Sequence, residues 1–159
     1  MSGKSQEPTI EGYLQKRCIT IMETADKETV LNTLVDSMKD SENVHDVEAL
    51  RKGIFHRETL MSTGIGMGIA IPHVRLDSVD DLTISVAVVR EGVEDYQSLD
   101  DETIRLVFMM AAHSEQHARY LKMLSKLSAI LKDEKLRDKL VHTTDADDFY
   151  EILVSSEEK

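Results

Sequence analysis

The run Thr63-Gly64-Ile65-Gly66-Met67-Gly68-Ile69-Ala70-Ile71-Pro72-His73 constrains this chain more than any other stretch. Glycines on alternate positions resist both a helix and a regular strand interior. The glycine-free end, Ile69 to Ile71, has the composition of a short strand. Proline cannot donate to a central ladder, so Pro72 stops that strand and leaves His73 at its end. An imidazole has an ordinary pKa of about 6.5, so at neutral pH one ring nitrogen is free to act as a nucleophile. On its residues alone, His73 serves either as a structural histidine or as a nucleophile.

Elsewhere helix and strand patterns alternate. Thr9 to Leu14 reads as a short helix ahead of a buried strand, Cys18 to Met22. Val30, Leu31, Leu34, Val35 and Met38 form one face of a helix from Asp26 to Asp40, with Asp26 as its N-cap. A second helix runs from about Asp46 to Arg57, with Val47, Leu50 and Ile54 facing inward. Leu82 to Val89 and Thr103 to Ala112 are strands, the second apolar on both faces beyond Arg105 and so central and helix-covered. A long helix from Glu115 to Leu131 follows, with Leu121, Leu124, Leu127, Ile130 and Leu131 on one face. Asp133 to Val141 and Asp145 to Leu153 are shorter helices. This order implies a single-domain α/β sandwich around one sheet. Residues 1–8 read as a flexible lead-in, 9–155 as the domain and 156–159 as a frayed acidic tail.

Several functions are disfavoured. With a net charge of −11 the chain lacks the basic patch that nucleic acid requires. No stretch is long and apolar enough for a membrane span, and the polar N-terminus lacks a signal-peptide centre, so the expectation is a cytoplasmic protein. The one cysteine, Cys18, reads as a small core residue. The glycines do not fit a dinucleotide fingerprint, because Ile69 or Ile71 stands where the third small residue should be. No P-loop Gly-Lys-Ser/Thr and no Gly-x-Ser-x-Gly occurs. His113 and His117 are four apart and could share a helix face, but the residues between them are not those of a zincin. Neither a metal nor a cofactor is expected.

The longer stretch from His56 through Arg57-Glu58, Ser62-Thr63-Gly64 and Gly68-Ile69-Ala70-Ile71-Pro72-His73 closely resembles the active-site motif of the fructose/mannitol-type enzyme IIA family of the bacterial phosphotransferase system. That family includes the nitrogen-regulatory IIA proteins. The resemblance extends over Thr9 to Leu153, including Leu124-Ser125-Lys126-Leu127-Ser128. It implies a mixed central sheet flanked by helices, and phosphorylation of His73 by the carrier protein HPr. A IIB domain or a regulatory target protein would be the next partner. Arg57 matches the family's active-site arginine, whose rigid fork suits phosphoryl oxygens. Ser62 and Thr63 are either further phosphoryl-binding donors or ordinary turn hydroxyls. The family commonly carries a second active-site histidine where this chain has Tyr120. Either His117, one helical turn earlier, takes that role, or the Tyr120 hydroxyl does, or the role is absent. His113 is a further candidate, and His56 is left on the surface. Glycine commonly follows the histidine in nitrogen-regulatory members, whereas Val74 and Arg75 follow it here.

Overall fold

The computed structural model describes residues 7–157. In chain order the elements are α1 (Ile10–Tyr13), β1 (Leu14–Met22), α2 (Lys27–Ser37), α3 (Val47–Leu60), β2 (Gly64–Gly66), β3 (Ile69–Ala70), β4 (His73–Arg75), β5 (Thr83–Val93), β6 (Ile104–Ala112), α4 (His117–Ile130), α5 (Glu134–Val141) and α6 (Ala146–Ser156). Aspartates start four of the helices: Asp26, Asp46, Asp133 and Asp145 each accept backbone N–H groups of the first turn. That satisfies donors the helix itself cannot.

The sheet is mixed, ordered β1-β5-β6-β3-β2, with β4 also on β6. β1 runs parallel to β5, β5 antiparallel to β6, and β3 and β4 parallel to β6. Alternate residues of the central strands face opposite layers, as the pleat demands. Val86, Val88, Leu106, Phe108 and Met110 pack under α1, α4, α5 and α6. Ala87, Val89, Val107, Met109 and Ala111 pack under α2 and α3. The expected sandwich is therefore a helix–sheet–helix one, and β6 is central as its two apolar faces require.

The register places the histidine. Ile69 pairs with Leu106 and Ala70 with Val107; His73 pairs with Met110 and Val74 with Ala111. The offset is the same in both pieces, so β3 and β4 are one strand interrupted at Ile71-Pro72. The ladder survives the proline because the Pro72 carbonyl still accepts from Met110 N at 2.9 Å. His73 therefore begins a strand segment instead of ending one, which corrects the sequence expectation.

Four other expectations change. Gly64–Gly66 is a paired strand after all, antiparallel to β3 and closed by a turn at Met67 (φ 61°) and Gly68 (φ 77°). The long helix α4 starts at His117, because Gln116 folds back: its N–H donates to the His113 carbonyl and its Oε1 accepts from His113 N. Its buried stripe is Tyr120, Met123 and Leu127, continued by Leu131, while Leu121 is 44% exposed. Finally, Glu157 is not frayed. Its carboxylate accepts from the N–H of Ile10 (2.7 Å) and Glu11 (3.2 Å) at the start of α1 and pairs with Lys126. An anion is stabilised there by otherwise unpartnered N–H donors. Residues 1–6 of the expected lead-in, and 158–159 of the tail, lie outside the described residues.

Candidate functional site

Extended backbone puts every second side chain on the same face. Ile69, Ile71, His73 and Arg75 consequently share the α4 side of the sheet, the two isoleucines within the core. His73 is half-buried, with its ring 5.2 Å from that of Tyr120 on α4. Its Nδ1 lies 2.7 Å from the Ile71 carbonyl oxygen. A carbonyl only accepts, so Nδ1 carries the proton and the neutral ring presents a bare lone pair at Nε2. Burial lowers the His73 pKa. The positive charges of Arg57 and Arg75 act in the same direction, against the Ile71 hydrogen bond and the negative charge of Glu58. At neutral pH the ring is a nucleophile.

Two guanidinium charges act on it. Arg57, in the last turn of α3, donates through Nη1 to the Met61 carbonyl at 2.8 Å. Arg75, two residues after His73, donates through Nη1 to the Ser114 carbonyl at 3.1 Å. Each bond uses one nitrogen of the fork, leaving further N–H donors on each group. Arg75 was not singled out from the sequence, although the strand period from His73 predicts its face.

Ser62 and Thr63 are engaged elsewhere. Ser62 Oγ donates to the Gln97 carbonyl (2.7 Å) and accepts from Gly64 N (3.2 Å). Thr63 is buried, and its hydroxyl donates to Glu58 and sits 2.8 Å from the Tyr96 hydroxyl. Neither hydroxyl hydrogen-bonds His73 among the described residues. Tyr120 has a buried ring and a pKa raised by burial. Among the described residues its hydroxyl has no side-chain or backbone hydrogen-bond partner, and no buried side-chain polar atom is left unpartnered. His117 is exposed at the start of α4, its ring 6.3 Å from that of Tyr120. His113 lies in the loop before α4, so the four-residue spacing does not bring it onto a helix face with His117. His56 is exposed, as expected.

The segment carrying the site is stitched to the loop after β5. Tyr96 meets Thr63, Gln97 meets Ser62, Ser98 bridges to Gly64, and Asp100 accepts from Met67 N at 2.8 Å. Nothing local in the sequence signals these contacts across more than thirty residues.

Fold and site together define a three-layer α/β domain with one half-buried histidine whose ring feels the charges of two hydrogen-bonded arginines. The chain belongs to the family described as "Phosphoenolpyruvate-dependent sugar phosphotransferase system, EIIA 2", whose sequence model matches residues 12–156. It is 36% identical over 145 residues to the fructose-specific EIIABC component of Bacillus subtilis, covering 91% of this chain but 23% of that longer protein. It is 33% identical to the fructose-specific EIIA component of Haloferax volcanii, over 81% of this chain and 83% of that one. The nitrogen regulatory protein IIA-Ntr of Neisseria meningitidis has the same fold, with a TM-score of 0.82, 27% identity, and coverage of 91% of this chain and 98% of that one. No helix among the described residues is long and apolar enough to cross a membrane.

Proposed function

We propose that this protein is a cytoplasmic phosphohistidine carrier in which Nε2 of His73 accepts a phosphoryl group from phosphorylated HPr. The observation that carries this reading is the bond from His73 Nδ1 to the Ile71 carbonyl, which leaves Nε2 as the nucleophile. The Nε2 lone pair attacks phosphorus. The P–N bond to the donor's imidazole breaks, and its electron pair stays on the donor nitrogen. The Nδ1 proton of His73 is retained, and the Ile71 carbonyl steadies the positive charge the ring acquires. Such a transfer is mostly positioning and charge neutralisation. In this reading Arg57 and Arg75 supply the positive charge, and the Tyr120 hydroxyl donates to a phosphoryl oxygen. His117, exposed beside Tyr120, is the residue an incoming partner would meet. Ser62 and Thr63 shape the turn and leave the phosphoryl group to others. The working unit spans residues 9–157.

The next acceptor is a IIB domain, a reading supported by the fructose-type relatives and by one whose name places A, B and C components in a single chain. The likeness to a nitrogen regulatory protein over nearly the whole fold supports a second reading, in which the phosphorylation state controls binding to a target protein.

The test is intact mass after incubation with enzyme I, HPr and phosphoenolpyruvate. A gain of one phosphate in the wild type and none in His73→Ala is expected, with the adduct labile to acid and stable to alkali. Labelling that persists in His73→Ala overturns the assignment. Discharge on adding a fructose-type IIB domain supports sugar uptake; retention of the phosphate with that acceptor present supports the regulatory reading.

A further inference from the structure

Behind the site lies a buried charged centre that the transfer chemistry does not itself use. Glu58 is adjacent to Arg57 on α3 but points inward, and its side chain is 4% exposed. A carboxylate in such a place is costly unless it is paired and fully hydrogen-bonded. Here it is both. Lys27 Nζ, at the start of α2, lies 3.0 Å from Oε1 and 4.4 Å from the centre of the Tyr96 ring. The Thr63 hydroxyl donates to Oε2, and Thr63 N approaches Oε1 at 3.4 Å.

The proton directions in this cluster are forced. An ionised carboxylate only accepts, so the single Thr63 hydroxyl proton goes to Glu58. The Tyr96 phenol must then donate to Thr63 Oγ1. Burial and the Glu58 charge raise the Tyr96 pKa, which keeps that proton in place.

From Thr63 the order continues through the backbone. The Thr63 carbonyl accepts from Ile71 N at 3.0 Å, and the Ile71 carbonyl accepts from His73 Nδ1 at 2.7 Å. A continuous path thus runs from the Lys27–Glu58 pair, through Thr63 and Ile71, to the ring nitrogen that must keep its proton. Glu58 is also the chain neighbour of Arg57, whose guanidinium reaches the Met61 carbonyl from the last turn of α3.

We infer that Glu58, held by Lys27 and Thr63, is a positioning residue that sets the tautomer of His73 and the placement of Arg57. The inference rests on the phosphocarrier reading for its consequence, but its primary readout does not. Removing the carboxylate charge reverses or breaks the Thr63 bond, lets the 62–64 turn shift, and frees the Ile71 carbonyl from its fixed aim. The imidazole then redistributes its proton between Nδ1 and Nε2.

The experiment is ¹⁵N spectroscopy of the His73 ring at a pH above its pKa, in the wild type, Glu58→Gln, Lys27→Met and Thr63→Ser. The wild type is expected almost wholly in the Nδ1–H form. Glu58→Gln should move it to a mixture of tautomers and slow phosphorylation by HPr roughly tenfold. Lys27→Met should do the same more weakly. Thr63→Ser retains the hydroxyl and should keep the wild-type tautomer and rate. Circular dichroism and a urea midpoint identify a variant that has merely unfolded, in which case Lys27→Met carries the test. An unchanged tautomer in folded Glu58→Gln overturns the inference even if His73 is phosphorylated normally in the wild type. Failure of the wild type to take up phosphate overturns the carrier reading and leaves the tautomer result standing.

Discussion

The Ile71 carbonyl oxygen and His73 Nδ1 lie 2.7 Å apart, two residues along an interrupted strand whose register with β6 is unbroken. The bond itself favours the protonated ring, and its surroundings outweigh it. Burial foremost, and then the arginine charges, hold the His73 pKa below its ordinary value of 6.5. Only the neutral ring attacks phosphorus, so the rate of phosphoryl uptake should rise with pH to a plateau, with its midpoint below 6.5. Arg75→Ala removes one charge that opposes protonation and should move the midpoint up. An NMR titration of the His73 ring checks both, and a midpoint above 6.5 in the wild type contradicts the environment described.

The same shift has a consequence for stability. Folding lowers this pKa, so the unfolded chain binds more protons at mildly acidic pH. His73 therefore contributes stability that is present above the unfolded value and lost as pH falls through the folded one. His73→Gln should flatten this part of the stability–pH curve in urea melts taken from neutral pH downward.

Arg57 and Arg75 have different supports and should differ in their mutants. Arg57 is held to the end of α3 by the Met61 carbonyl, whereas Arg75 rides on the strand beside His73. Arg57→Ala should slow phosphorylation by about 10²-fold, the scale on which a fixed charge donor aids a transfer. Arg57→Lys should recover only part, because an ammonium lacks the planar fork. Rates from single-turnover labelling, with the His73 tautomer unchanged, separate loss of a charge from loss of the fold.

The histidine and Arg57 were legible in the sequence because they lie within one continuous motif. The helices were legible from their periodicity, and α2 also from its Asp26 cap. What escaped was long-range. The role of Glu58 depends on Lys27, thirty-one positions earlier, and on Tyr96, thirty-eight later. The glycine-rich run escaped as a strand because its pairing is fixed by contacts with the Gln97–Asp100 loop, which no local propensity encodes. Leu121 was misplaced for a simpler reason: five apolar residues on α4 fit a helical stripe loosely, and the packing chose the one through Tyr120 and Met123. Glu157 looked like solvated tail because its partners, the first N–H groups of α1, are at the other end of the chain.

Gly64 tests how tightly that run is held. A Cβ there would lie 2.1 Å from the Gln97 carbonyl oxygen and 3.0 Å from Ser98 Cα, both backbone atoms that cannot swing aside. Gly64→Ala should destabilise the fold by about 2–3 kcal/mol, typical of overpacking. Gly53→Ala, on α3, would place its Cβ 3.0 Å from one Val74 methyl, with its next neighbours at 3.8 Å, and should be milder. Urea midpoints of the two variants decide it; equal losses would mean that the turn accommodates the methyl by moving as a unit.

Tyr120 and His117 compete for the role that a second histidine fills in related proteins, and their positions separate them. The buried Tyr120 ring packs 5.2 Å from that of His73, whereas the exposed His117 packs against Tyr120. Tyr120→Phe keeps the packed ring and deletes a hydroxyl that bonds no other described residue, so it should leave stability within about 0.5 kcal/mol. It should nevertheless slow phosphoryl uptake several-fold. Tyr120→Ala should also cost about 3 kcal/mol, as truncation of a buried aromatic does. His117→Ala should leave the uptake rate nearly unchanged. Tyr120→His places an imidazole where the family commonly has one and should keep or raise the rate. If His117→Ala proves the slower variant and Tyr120→Phe runs at the wild-type rate, the outer histidine swings in on partner binding and the phenol is packing alone.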